Sequence, residues 1–114
     1  MAKMSRKKQE EITQVEIDRL RLIFNSLPEK DREVVKELIE RAAFMTVQLE
    51  ILEADIQLRG PTYKFKNGSQ EMIVENPSQK SYNTMINRYT AIYNQLINYA
   101  KKIDDDDDSE DDDI

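Results

Sequence analysis

Residues 60–77, GPTYKFKNGSQEMIVENP, separate two long segments whose apolar residues recur at helical spacing. Gly60 and Pro61 are expected to end a helix, because glycine accepts the left-handed backbone that closes helices and proline cannot continue one. Asn76 and Pro77 are expected to begin the next, since asparagine caps helices and proline suits their first position. A plain helix–helix connection needs only a few residues. The longer insertion therefore predicts a small structural unit of its own.

The pair Asn67-Gly68 inside this insertion is a strong hairpin signal, because a type I′ turn needs positive φ at both central residues. Such a turn would set Tyr63 opposite Met72 and Lys64 opposite Glu71, in a hairpin spanning residues 62–75. One face of the hairpin would then carry the side chains of Tyr63, Phe65, Met72 and Val74. Because an isolated hairpin is marginal in water, we expect this face to rest on a helix or on a neighbouring subunit.

Three helices are predicted around the hairpin, over residues 10–27, 29–59 and 77–102. The two long helices have apolar residues in alternating steps of three and four, which is the pattern of a coiled coil. The second also has apolar residues outside that seam, so it needs more than one neighbour. The predicted fold is mainly α: an antiparallel, coiled-coil-like pair of long helices with an N-terminal helix and a short β-hairpin insertion between helices two and three.

Charge is distributed unevenly along the 114 residues, whose net charge is −6. Nine of the 23 acidic residues lie in 104–114, which leaves 17 basic and 14 acidic side chains, or +3, in the other 103 residues. We therefore expect a flexible basic arm over residues 1–9, a helical oligomerisation domain over 10–103 and a disordered acidic tail over 104–114. The tail has three open interpretations: it competes with DNA for the arm, docks on a basic partner, or keeps an adhesive oligomer in solution.

The composition excludes several classes of site. With no Cys or His, the chain cannot form disulfides, Cys/His zinc sites or His-based catalytic triads. No glycine-rich phosphate loop and no long apolar span are present either. We therefore assign no catalytic residue, no cofactor and no metal ligand, and we expect a non-enzymatic, soluble intracellular protein without membrane contact.

The order of these features resembles the small subunits of phage terminases. Some families of these have a helix of the type E-x-x-I-x-x-x-G, a tyrosine-containing loop and an Asn/His-Pro helix start. The counterparts here are Glu53, Ile56 or Gln57, Gly60, Tyr63 and Asn76-Pro77, within a similarity that covers residues 34–102. No helix-turn-helix is recognisable, so the resemblance does not locate the DNA-binding surface.

The resemblance implies a homo-oligomeric ring in the cytoplasm of the infected bacterial host. Such a ring recognises double-stranded phage DNA and regulates the ATPase and nuclease of the terminase large subunit. Basic side chains of the arm are the candidates for contact with DNA phosphates: Lys3, Arg6, Lys7 and Lys8. Aromatic and apolar side chains of the hairpin and the last helix are the candidates for the oligomer interface: Tyr63, Phe65, Met72, Tyr82, Tyr89 and Tyr93.

Two further functions stay open from the residues alone. The first is a coiled-coil structural or adaptor protein whose acidic tail binds a basic partner, with no role in DNA. The second is a small acidic antitoxin or regulator that neutralises a basic protein. Oligomeric order and salt-sensitive DNA binding distinguish these from the terminase hypothesis.

Overall fold

A computed structural model describes residues 4–111, with side chains through Asp105. Five elements follow one another along the chain: α1 (Arg6–Ile23), α2 (Glu29–Arg59), β1 (Thr62–Asn67), β2 (Gln70–Glu75) and α3 (Pro77–Asp111). The predicted fold class is confirmed: the chain is mainly helical, α3 packs along α2, and the two strands form an antiparallel hairpin between them. The bounds predicted for the second helix, residues 29–59, are those observed for α2.

The two ends of the helical region differ from the sequence prediction. α1 begins at Arg6, inside the segment predicted as a flexible arm, because the Ser5 side chain accepts a hydrogen bond from the Lys8 amide at 3.1 Å and caps the helix. α3 continues to Asp111, into the segment predicted as a disordered tail. No glycine or proline follows Pro77 in the sequence, so no residue type there breaks the helix. Residues 1–3 and 112–114 of these two segments lie outside the described residues.

The core lies at the end of the bundle where all three helices meet. Its buried members come from the α1–α2 turn, α2 and α3: Phe24, Leu27, Val35, Ile39, Ala42 and Leu96. The helices run antiparallel to their neighbours, since Gln9 of α1 bonds Gln48 of α2, and Asp31 of α2 pairs with Lys102 of α3. The hairpin leaves from the opposite end of this elongated molecule, which measures 78 × 26 × 20 Å.

The turn lies one residue later than predicted, so each residue of β1 pairs two positions further along β2 than expected. Phe65 stands opposite Met72, and Lys66 rather than Lys64 stands opposite Glu71. The two loop residues are therefore Gly68 and Ser69, and only Gly68 has positive φ, at 64°. These are the signs of a type II′ turn, which needs positive φ at its first central residue alone. This turn spares Asn67 the positive φ that a type I′ turn would impose on it.

Candidate functional site: the elbow and the surfaces it positions

Asp55 lies at the centre of the elbow, by which we mean the end of α2, the base of the hairpin and the start of α3. Arg59 donates two hydrogen bonds to its carboxylate, from Nε and Nη2, both at 2.9 Å. Ser78 Oγ donates at 2.6 Å and Asn76 Nδ2 at 3.2 Å. These bonds, led by that from Arg59, hold the pKa of Asp55 well below its usual range. One ionised carboxylate thus joins the end of α2 to the start of α3.

Asn76 is the buried polar residue of the elbow, with no exposed surface. Its Nδ2 also donates to the Gly60 carbonyl at 3.0 Å, and its Oδ1 accepts from the Ser78 amide at 3.0 Å. Its backbone amide donates to the Pro61 carbonyl at 2.8 Å. The predicted helix cap is confirmed, and the same side chain also satisfies groups that precede the hairpin. Burial of an amide is tolerated because each of its polar atoms has a partner.

The hairpin is held at its base by the same network. Gly60 has φ 82° and ψ 171°, a backbone region that is essentially restricted to glycine, and it turns the chain from α2 towards β1. The Arg59 guanidinium lies 5.6 Å from the centre of the Tyr63 ring, within the range of a cation–π contact. Arg59 therefore connects the Asp55 carboxylate to the first aromatic residue of the hairpin.

The apolar face of the hairpin carries the four side chains that the sequence predicted, despite the shifted register. Tyr63 stands opposite Val74 and Phe65 opposite Met72, so all four share one side of the ribbon. Tyr63 and Val74, near the base, are half-buried, whereas Phe65 and Met72 are 45% and 56% exposed. Within the described chain this outer pair is not covered by a helix. The opposite face carries an ion pair between Lys66 and Glu71 at 3.9 Å, and an exposed Ile73.

The three tyrosines of α3 that were predicted as interface residues differ in their surroundings. Tyr82 donates to Glu53 Oε2 at 3.0 Å, and this bond raises the pKa of the phenol. Tyr89 packs against the core, and its hydroxyl accepts from Thr46 at 3.4 Å. Tyr93 stacks on Tyr89, with ring centres 5.9 Å apart, and is 50% exposed. Tyr93 is thus the member of this set that offers the most surface to another molecule.

The basic residues predicted to contact DNA fall in the first turn of α1, apart from Lys3, which lies outside the described residues. Arg6, Lys7 and Lys8 are all exposed, and Arg6 forms an ion pair with Glu10 at 3.1 Å that is itself open to solvent. Cations at a helix N-terminus add to the positive end of the helix dipole. This end of α1 therefore combines side-chain and backbone positive charge on an accessible surface.

The network around Asp55 was missed by sequence reasoning. Asp55 and Arg59 have the spacing of an ordinary surface pair on a helix, i and i+4, and that spacing does not reveal the two partners from α3. Ser78, two residues after a predicted cap, was the available signal of further hydrogen bonding. The structure brings Gly60, Tyr63 and Asn76 together here, whereas Tyr93 lies on a separate surface. The start of α1 borders the elbow, since Met4 and Gln9 line one cavity with Asp55, Arg59 and Ser78.

No known family model matches this chain, and comparisons with curated proteins and with solved structures find no significant match. Within residues 4–111, none of the helices combines the length and apolar character needed to cross a membrane. The same part of the chain contains no group of acidic side chains arranged to hold a metal ion.

Proposed function

We propose that this chain is the small subunit of a phage terminase, a non-enzymatic, ring-forming component of the DNA-packaging motor. One observation carries the proposal. Most of the residues on which the resemblance rests lie in the elbow. Asn76 bonds both Gly60 and Asp55, Arg59 bonds Asp55 and lies over the Tyr63 ring, and Glu53, earlier in α2, bonds Tyr82 separately. A pattern that corresponds to one structural unit supports the resemblance better than the same residues scattered over the molecule would.

Ring formation in this proposal uses the surfaces that the elbow holds outward. Phe65 and Met72 project from the far part of the hairpin, and Tyr93 lies exposed along α3. Aromatic residues and methionine are enriched at subunit interfaces, because they cover a large area while few groups need desolvation. A contact between the hairpin of one subunit and a helix of the next is heterologous, and heterologous contacts close into rings when the rotation between subunits allows it.

Recognition of phage DNA in this proposal begins with the exposed basic start of α1. A ring repeats Arg6, Lys7 and Lys8 once per subunit, so modest charge on one chain becomes a basic annulus. Contacts to phosphates supply affinity and orientation but no base reading. The proposed ring acts in the cytoplasm of the infected bacterial host, where it presents DNA to the large subunit and regulates its ATPase and nuclease.

The test is native mass spectrometry of the full chain, followed by binding to duplex DNA at about 50 mM and about 200 mM salt. A closed assembly of many subunits that binds duplex and loses affinity steeply with salt is the expected result. A monomer or dimer at micromolar concentration that leaves duplex unbound would overturn the proposal.

The adaptor function is the second candidate, and the length of α3 favours it. α3 continues past Lys102, which pairs with Asp31 near the start of α2, and carries the acidic residues to Asp111 beyond that pair. The backbone of the acidic segment thus extends past this pair, and its position favours a function in which the segment binds a basic protein. Removal of residues 104–114 abolishes binding to a cationic partner if the adaptor function is correct, and leaves ring assembly and DNA binding intact if the terminase function is.

A further inference from the structure

Phe44 is an apolar side chain on the outer side of α2, away from the core. Its neighbours Ala43 and Val47 are buried, whereas Phe44 is 52% exposed. Met45, the next residue along the chain, is only half-buried. A helix with apolar residues on two sides is typical of a helix that has a second neighbour.

Two shallow grooves meet at Phe44 and Met45. The first runs along α2 and is lined by Glu37, Glu40 and Arg41, which together carry a charge of −1. The second lies between α2 and α3, and its basic side chains are Lys80 and Arg88, with Met85 between them. The outer face of the bundle therefore has an apolar centre, with an acidic groove and a basic groove joined at it.

The two grooves are displaced in opposite directions along the bundle. α2 and α3 are antiparallel, since Asp31 pairs with Lys102 near one end and Asp55 bonds Ser78 at the other. Lys80 is therefore close to the elbow, whereas Glu37 is nearer the opposite end, and Phe44 lies between these levels. A rotation of 180° about an axis through Phe44 therefore places the acidic groove of one copy opposite the basic groove of the other.

From this arrangement we infer that the outer face of α2 binds a second copy of this chain, in a two-fold contact centred on Phe44. The two copies run antiparallel, Phe44 and Met45 of each cover those of the other, and the acidic groove of each meets the basic groove of the other. Contacts of this isologous type use the same patch on both subunits, so each charge pair occurs twice. The face is complementary to itself in charge and apolar at its centre, which is the anatomy of a protein interface.

A second copy fits this face better than nucleic acid does. The carboxylates of Glu37 and Glu40 adjoin the basic groove and would repel a phosphate backbone laid across Phe44. The contact does not depend on the proposed function, because its charge pairs use none of the residues assigned to DNA or to the hairpin interface. Arg6 borders Phe44 in a third groove, where it pairs with Glu10. If both contacts exist, the two-fold contact pairs two rings face to face.

The test exchanges charges across the face in the full-length chain. Variant A is Glu37→Lys/Glu40→Lys, which makes both grooves basic, and variant B is Lys80→Glu/Arg88→Glu, which makes both acidic. Each variant alone repels its own copy, so we expect sedimentation velocity to show half the parent mass, or a dissociation constant raised at least about tenfold. An equimolar mixture of A and B restores opposite charges on both halves of the contact and should recover the parent mass.

The matched control is Glu11→Lys/Asp18→Lys, which makes the same charge change as variant A on exposed positions of α1, outside both grooves. It should keep the parent mass. Circular dichroism of each variant separates lost association from lost folding. Three results would each overturn the inference. They are a parent that stays monomeric at high micromolar concentration, single variants whose mass equals that of the parent, and a mixture that does not recover the parent mass. Recovery of the parent mass by the mixture supports the two-fold contact even if the parent is a simple dimer that does not bind DNA. Such a dimer would overturn the terminase proposal but not the two-fold contact.

Discussion

Asn76 donates its side-chain amide to the carboxylate of Asp55, which lies 21 positions earlier in the sequence, at 3.2 Å. Asp55 is in the last turns of α2 and Asn76 precedes α3, so this bond spans the whole hairpin insertion. Since Arg59 and Ser78 bond the same carboxylate, the angle between the long helices and the direction of the hairpin depend on one small group of side chains. The stability of the elbow and the direction of the hairpin are therefore linked.

Replacement of Asn76 by alanine should lower the free energy of unfolding by about 2 kcal/mol, because it removes a buried amide and leaves the Gly60 carbonyl and part of the Asp55 carboxylate without their partner. Urea unfolding at fixed protein concentration, followed by circular dichroism, measures the change. Asn87→Ala, on the exposed side of α3, is the matched control and should stay within about 0.5 kcal/mol of the parent. Equal effects of the two replacements would show that the hydrogen bonds of Asn76 in the elbow add no measurable stability.

Acid should destabilise the protein partly through Asp55. The pKa of this carboxyl is well below its usual range in the folded state, whereas the pKa of an aspartate in the unfolded chain is about 3.9. Above that value both states are ionised and the full stabilisation is present. As the pH falls below it, the unfolded state binds the proton first, and the stabilisation is lost progressively towards the folded pKa.

The replacement Asp55→Asn should therefore flatten the dependence of unfolding free energy on pH below about pH 5, in addition to weakening the elbow at neutral pH. Asp18→Asn is the matched control, since Asp18 is exposed and accepts from Gln14 on its own helix. Parallel curves of stability against pH for the parent and Asp55→Asn would contradict the assignment of the pH effect to this carboxylate.

Replacement of Gly60 by alanine should cost about 1–3 kcal/mol through the backbone alone. A Cβ at this position would meet the Thr62 carbonyl oxygen at 3.6 Å, an ordinary contact, so the cost comes from φ 82° with ψ 171° and not from crowding. Asparagine tolerates the left-handed helical region but not this one, and Gly60→Asn should be as unstable as Gly60→Ala. Thermal unfolding of the two variants tests this, and rescue by asparagine would rule the explanation out.

The bounds of α2 and the start of α3 were predictable because their signals are local, whereas α1 ends at Ile23 and not at Leu27 as predicted. Pro28 and the pair Gly60-Pro61 bound α2, and Asn76-Pro77 opens α3, and each acts through its own backbone geometry or cap. The start of α1 was predicted at Glu10 instead of Arg6 because the cap offered by Ser5 was overlooked beside the basic residues that follow it.

The hairpin register and the partners of Asp55 could not be predicted, because neighbouring residues do not determine them. Asn67-Gly68 fits a type I′ turn and Gly68-Ser69 fits a type II′ turn, and moving the turn by one residue moves each strand partner by two. The set of residues on the apolar face was nevertheless right, because a shift of two residues in the pairing leaves every side chain on the same face. The partners of Asp55 lie beyond the hairpin, so no local spacing indicated them.

Removal of positive charge from the start of α1 should weaken DNA binding in a way that depends on salt. Each phosphate contact contributes about 0.9 to the slope of log affinity against log salt, so Lys7→Gln/Lys8→Gln should reduce that slope by up to about 1.8. The matched control is Lys64→Gln/Lys66→Gln on the hairpin, which removes the same charge elsewhere. Fluorescence anisotropy with a labelled duplex gives both slopes. Equal reductions in the two variants would mean that DNA senses only net charge and that α1 has no assigned role.

Replacement of Phe65 and Met72 together by serine should shift the assembly to smaller species, because these side chains form the exposed outer pair of the apolar face. Native mass spectrometry at matched concentration measures the shift. Ile73→Ser is the control: Ile73 is also exposed but lies on the other face of the same ribbon, so its loss should leave the mass unchanged. Met72→Leu keeps an apolar side chain of similar volume and should preserve assembly, which separates loss of contact from loss of the hairpin. If the double variant assembles as the parent does, the hairpin is not an assembly contact and the ring must form through α3 or not at all.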